Sequence, residues 1–271
     1  MNLKRVLTAL IGFPIVTTAL IFGNKYVIDV IITAIALISM YEYIDCLSKK
    51  DIKVIKWISY VMVLDIAFIH VIPVGLYSYV YIMPPLLLFI LFLHVIISNM
   101  RITFLDISFT LFGILYVFCF LVFLPLIYGL DGAVSGKLLI WFVLAASWGT
   151  DVFAYFVGMK FGKIRFSKVS PKKSLEGCIG GTTAAAILTV LLAIIFNKFF
   201  GASFAYIRVV IFAVILSIIG QIGDFSASVI KRYCEVKDFS ELFPGHGGMI
   251  DRIDSIMFIC PFAYFLFTIF L

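Results

Sequence analysis

The chain has 271 residues, of which 63% are hydrophobic and 13% charged, with a formal net charge of +6. Soluble domains carry about half apolar and about a quarter charged residues, so this composition excludes an ordinary soluble globular protein and defines an integral membrane protein. The charge excess is modest and gives no reason to expect a nucleic acid partner.

The first apolar run, residues 6–22, follows Lys4 and Arg5 and superficially resembles a signal peptide. It lacks a convincing small-residue cleavage site and is followed directly by another span, so it reads as a retained helix. Pro14 within it is tolerable, because neighbouring helices can satisfy the freed carbonyl. Further spans are expected near residues 27–45, 57–74, 79–98, 104–127, 137–157, 179–198, 206–229 and 253–271. The fold class is therefore all-α and polytopic, with about nine transmembrane helices. With the N-terminus in the cytoplasm, the Lys and Arg residues divide 17 to 4 in favour of the inner side, as the positive-inside rule requires. Only Lys25, Lys137, Lys198 and Arg208 fall outside. Two parts result: residues 1–136, with about five spans, and residues 137–271, a membrane region with two longer, more polar cytoplasmic loops at about 158–178 and 230–252. The earlier loop KKDIKVIK, residues 49–56, reads as a cytoplasmic loop that fixes topology, or else as a segment lying along the headgroups. Five scattered cysteines show no metal-site or disulfide spacing and read as buried, reduced thiols.

The first of the two polar loops begins at Asp151, near the inner end of a span, where an ionised carboxylate needs water, a cation or a partner. It is a candidate site residue or a helix-end acid reaching the interface. Tyr155, one turn on, is its hydrogen-bond partner or an interfacial aromatic. The following GMKFGK is not a Walker A loop, which needs four residues between its glycines and Ser or Thr after the Lys. Ser170, Lys172, Lys173 and Ser174 surround Pro171 in a turn suited to gripping a polyphosphate, although anionic lipid headgroups or topology alone also suit a basic loop.

The second loop is denser. Asp224, Ser228, Lys231 and Arg232 follow i, i+4, i+7, i+8 spacing and share one helix face. Lys237, Asp238, His246, Asp251, Arg252 and Asp254 follow closely. Asp251 and Asp254, at i, i+3, would repel unless a cation lies between them, and oxygen-only donors favour a hard ion such as magnesium; helix capping is the alternative for one of them. The glycine-rich turn PGHGG, with Gly247 and Gly248, is expected to fold tightly and expose amide donors to an anion. His246 is a substrate contact or a structural hydrogen bonder.

Ser228, Ile230, Lys231, Arg232, Lys237, Asp238, Ser240, Phe243, Pro244, His246, Gly247, Gly248, Met249, Asp251, Arg252, Ile253 and Asp254, with these gaps, resemble the signature of the phosphatidate cytidylyltransferases, or CDP-diacylglycerol synthases. Asp151 with Tyr155 and the SPKKSLEG segment are similar to that family's middle region, so the resemblance covers most of residues 151–254. It implies that CTP and phosphatidate give CDP-diacylglycerol and diphosphate in phospholipid biosynthesis. It further implies catalysis by Asp224, Asp251, Lys231 and Arg232, a magnesium ion on Asp224, Asp251 and Asp254 with a second cation such as potassium, and a homodimer in a bacterial inner membrane with its site facing the cytoplasm. Substrate contacts are then expected from Asp151, Tyr155, Ser170, Lys172, Lys173, Ser174, Ser228, Lys237, His246, Gly247, Gly248 and Arg252. Two other readings compete. A CTP-dependent lipid kinase would use the same residue types but yield a phospholipid and CDP. A transporter would account for Asp29 and Asp65 within spans, yet would concentrate its polar groups near the midplane. A non-enzymatic scaffold leaves the acid and base cluster unexplained.

Overall fold

The computed structural model describes residues 14–72, 81–132, 134–243, 245 and 247–270. Residues 14–22 are helical (α1). They are followed by α2 (Lys25–Ser48), α3 (Lys56–Leu64), α4 (Met83–Ile97), α5 (Phe104–Gly113), α6 (Phe123–Tyr128), α7 (Gly136–Phe161), α8 (Leu175–Phe199), α9 (Tyr206–Tyr233) and α10 (Ile250–Phe270). Among the described residues there is no β-strand, only two isolated bridges. Six segments are long and apolar enough to cross a membrane: α2, the continuous run from α5 to α6, and α7 to α10. The chain is an all-α, multi-pass membrane protein.

Of the about nine expected spans, the remaining three are shorter or incompletely described. The first is described only from residue 14, α3 passes into a 3-10 turn at Asp65–Phe68, and α4 has 15 residues. The long helices outrun the expected windows at their charged ends, because backbone hydrogen bonding continues past the hydrocarbon until a cap or glycine stops it. Ser174 is such a cap: its Oγ accepts from Gly177 N at 3.2 Å and starts α8 at Leu175, four residues before the expected start. Thr103 and Asp106 form a reciprocal capping box at the start of α5.

Residues 49–55 connect α2 to α3 as a loop that packs against the bundle. Ile52, Val54 and Ile55 are buried, Lys53 N donates to Asp106 Oδ1 at 2.7 Å, and Ile55 N donates to Thr110 Oγ1 at 2.9 Å. The alternation of Lys with Ile and Val is that of a chain segment laid against α5, apolar side inward.

The two ends of the bundle differ in charge. At one end, Lys50 pairs with Glu235 at 2.6 Å and Arg232 Nε donates to Val169 O at 3.4 Å, so the 49–56, 162–174 and 234–249 segments meet there. At the other, Lys137 Nζ donates to Gly23 O at 3.0 Å and Arg208 donates to the Phe270 carbonyl at 3.0 Å. Asp29 lies at this second end of α2, fully buried and 2.8 Å from His70 Nδ1.

Among the described residues, the α7–α8 pair has the most extensive helix contact. Glycines in α8 make it possible: a Cβ at Gly177 would lie 2.7 Å from Ala154 O, and one at Gly181 would lie 2.6 Å from Thr150 O. Small residues four apart let membrane helices approach closely. This contact places Asp151 of α7 beside the loop that enters α8.

Candidate active site

A cavity of about 790 Å³ opens at the basic end of the bundle. It is bounded by the last turns of α7, the 162–174 loop, the first turn of α8, the last turns of α9 and the first turn of α10. Ten of the residues expected from the sequence line it: Asp151 and Tyr155 from α7; Lys172, Lys173 and Ser174 from the loop; Asp224 and Lys231 from α9; Asp251, Arg252 and Asp254 from α10.

Each wall is held by local bonds. The 162–174 loop is folded back on itself: Glu176 accepts from Lys163 N at 3.1 Å and from Ile164 N at 3.2 Å, and the Arg165 guanidinium donates to the Lys172 carbonyl. This presents Lys172 and Lys173 to the cavity. The Lys173 ammonium pairs with Asp224. Ser255 Oγ donates to Asp151 Oδ2 at 3.4 Å, and Asp254 Oδ1 accepts from Ser255 N at 2.7 Å.

Asp151, Asp224 and Asp254 line one cavity, and carboxylates gathered in a partly dehydrated space repel one another unless a cation relieves them. All three offer oxygen only, which fits a hard divalent ion rather than zinc or copper. Among the described residues no three such side chains are already drawn together as a metal site; ammonium groups meet the acids instead.

Asp251 is the most tied of the acids. Its Oδ1 accepts from Lys231 Nζ at 2.6 Å, and its Oδ2 accepts from Phe239 N and Gly248 N, each at 2.9 Å. The amides of Met249 and Ile250 donate to the carboxylate of Glu42 at 2.8 and 2.9 Å. The expectation that the glycine turn exposes its amides to an anion is therefore corrected for Gly248, whose amide is taken by the Asp251 carboxylate. Gly247 adopts φ +82°, a left-handed conformation that glycine allows without strain.

Other expected residues lie around rather than in the cavity. Arg232 is exposed and reaches Val169 O, Ser228 is buried, Lys237 is exposed, and Ser170 accepts from Lys173 N in the turn. His246, like Pro244, lies outside the described residues. Cys46, Cys234 and Cys260 are buried as expected, whereas Cys178 borders the cavity.

Asp238, part of the polar cluster read from the sequence, also lines the cavity, and sequence reasoning missed Arg165 and Gln221, which line it too. Gln221 could have been found, since it is a polar residue in an apolar span one turn before Asp224. Its amide nitrogen donates to Thr182 Oγ1 at 2.9 Å, within a polar chain in which Ser217 Oγ donates to Thr182 at 3.0 Å and lies 2.7 Å from Thr150 Oγ1. Glu42 carried no signal beyond being an acid in an apolar run.

Fold and site together define a polytopic helical membrane protein with a cavity of opposed carboxylates and cations at one end of its bundle. The chain belongs to the cytidylyltransferase family, whose sequence model matches residues 3–270. Among curated relatives, a phosphatidate cytidylyltransferase of Thermotoga maritima is 41% identical over 159 residues, covering 58% of this chain and 57% of that protein. One of Bacillus subtilis is 35% identical over 183 residues, covering 67% and 65%, and one of Haemophilus influenzae is 42% identical over 140 residues, covering 49% and 47%. In each case the match spans less than two thirds of the relative's own length.

Proposed function

We propose that this protein is a phosphatidate cytidylyltransferase, making CDP-diacylglycerol and diphosphate from CTP and phosphatidate for phospholipid biosynthesis. The observation that carries this reading is the convergence of Lys172, Lys173, Lys231 and Arg252 with Asp151, Asp224 and Asp254 on one cavity of a membrane protein. Family membership and the names of the relatives support it.

In the reaction a phosphatidate oxygen forms a bond to the α-phosphorus of CTP while the bond from that phosphorus to the diphosphate breaks, the electron pair leaving on diphosphate. Both reactants are anions, so catalysis requires neutralisation and in-line alignment. Lys172 and Lys173, with Arg165 behind them, hold the triphosphate from the loop side. Lys231 and Arg252 face them from α9 and α10, Arg232 and Lys237 add positive charge at the rim, and Ser170, Ser174, Tyr155, Ser228 and Gly247 complete the surroundings; His246, outside the described residues, is kept as a substrate contact on its sequence alone. Asp224, Asp251 and Asp254, with Asp151 close by, would hold magnesium and a second cation such as potassium. When bound, these ions supply further neutralisation of phosphate charge.

The basic end of the bundle is read as cytoplasmic, where CTP is available, in a bacterial inner membrane, with the catalytic part in residues 137–271 and the protein as a homodimer. Membranes containing the protein are expected to incorporate label from α-labelled CTP into lipid only with phosphatidate and a divalent ion present. Label entering lipid from γ-labelled CTP alone would identify a lipid kinase instead, and no lipid-soluble label would remove the reading.

A further inference from the structure

Glu42 belongs to α2, in the part of the chain none of whose described residues lines the cavity, yet it is 1% exposed and its carboxylate is fully engaged. Oε1 accepts from Ser240 Oγ at 2.6 Å and from Met249 N at 2.8 Å; Oε2 accepts from Ile250 N at 2.9 Å. Ser240 and Met249 are the two ends of the segment that carries the glycine turn, and Ile250 begins α10. One buried carboxylate therefore closes that segment into a loop and caps the helix that follows. The fit is tight: a Cβ at Gly248 would lie 2.6 Å from both Glu42 oxygens.

The consequence for the cavity is geometric. Asp251, Arg252 and Asp254 occupy the first turns of α10, and all three line the cavity. Asp251 in turn fixes Lys231, at 2.6 Å. The placement of two cations and two acids thus depends on where α10 starts and how it is rotated, and the only side-chain carboxylate on its first amides, among the described residues, comes from α2. A helix cap supplied from a different helix sets both the start of a helix and its position relative to the donor.

We propose that Glu42 is a positioning residue for cytidylyl transfer, acting through the first turn of α10 on Arg252 and Lys231. This rests on the reading of the cavity as a cytidylyltransferase site. Glu42→Gln keeps the volume but turns an NH₂ group toward backbone N–H donors, so one amide loses its acceptor and α10 shifts. Glu42→Asp keeps the charge on a shorter stem and restores part of the cap.

The experiment measures CTP-dependent CDP-lipid formation and, separately, equilibrium binding of CTP by calorimetry, both per mole of monodisperse folded protein. Glu42→Gln is expected to weaken CTP binding and raise KM for CTP about tenfold while lowering kcat less, with Glu42→Asp recovering part of the loss. Ser240→Ala, which removes one donor and leaves the helix amides capped, is expected to shift both in the same direction by about two- to threefold, and decides the matter if Glu42→Gln does not fold. Unchanged KM and CTP binding in the folded variants, with only yield or melting temperature reduced, would make Glu42 purely structural and overturn the proposal. Wild-type protein that forms no CDP-lipid would instead remove the cytidylyltransferase reading.

Discussion

The Lys173 ammonium rests on the Asp224 carboxylate and lies 4.2 Å from the centre of the Phe225 ring, tying the 162–174 loop to α9. A cation thus already meets the acid that would hold a metal ion. Both side chains are about a quarter exposed, at 25% and 27%, so the pair is worth about 0.5–1 kcal/mol and gives way to a divalent ion. Lys173→Met is expected to tighten divalent-ion binding in the absence of nucleotide by about two- to fivefold, because the competing ammonium is gone. It should at the same time raise KM for CTP. Calorimetry with manganese checks the first arm and steady-state kinetics the second; weaker metal binding in the variant would remove the competition.

Asp224 and Asp251 are alike in sequence terms but differ in what they hold. Asp224→Asn is expected to cost at least about 100-fold in kcat, the scale of losing one charge-stabilising group, with little change in melting temperature. Asp251→Ala leaves Lys231 without its partner in a site where the two side chains are 12% and 4% exposed, and also releases two backbone amides. Breaking a buried pair in this way costs about 3–5 kcal/mol, so this variant should melt far below wild type as well as being inactive. Thermal unfolding in detergent separates the two, and equal melting temperatures would show that Asp251 does not hold the loop.

That distinction shows where reading the sequence stopped. The cluster from Asp224 to Asp254 was visible because its members lie within about two helices of one another and helical spacing places them on common faces. Asp151 and the Lys172–Lys173 turn could be added because alternation of spans brings both loops to one end. Glu42 could not: its partners are some 200 residues away and two of the three are backbone amides, which leave no mark in side-chain identity. The Gly248 amide reads as a donor to an anion for the same reason, although Asp251 takes it. Helix ends were misplaced where hydropathy falls before hydrogen bonding does, as at Ser174 and at Tyr233.

The approach of α7 and α8 gives a prediction about packing. Gly181→Ala would drive its methyl to 2.6 Å from Thr150 O and 2.9 Å from the Ala154 methyl. Overpacking of this kind costs about 1–3 kcal/mol. Because Ala154 and Asp151 border the cavity from α7, the outward shift of α7 should also lower kcat/KM. An Ala variant with wild-type melting and kinetics would show that the helices have room to part.

At the end of α9, Glu235 takes φ +56°, and the bonds from Glu235 N to Arg232 O (3.1 Å) and from Val236 N to Lys231 O (2.9 Å) close the helix in the manner of a glycine C-cap. A side chain is strained in that conformation and glycine is not. What Glu235 supplies in exchange is its exposed contact with Lys50, which holds the Glu235 carboxyl below and the Lys50 ammonium above their usual ranges through a shared hydrogen bond. Such exposed pairs are weak and screened by salt, so Glu235→Gly is expected to raise the melting temperature. The sign with pH follows from linkage. A carboxyl whose value is lowered on folding contributes stability above its unfolded value, and that contribution is lost as pH falls through the lowered folded value. Wild type therefore loses the pair in acid and the glycine variant has none to lose, so its advantage should widen below about pH 4 and with added salt. Melting curves across pH and ionic strength test this, and an advantage that shrinks in acid would show that the ion pair is not what opposes the backbone strain.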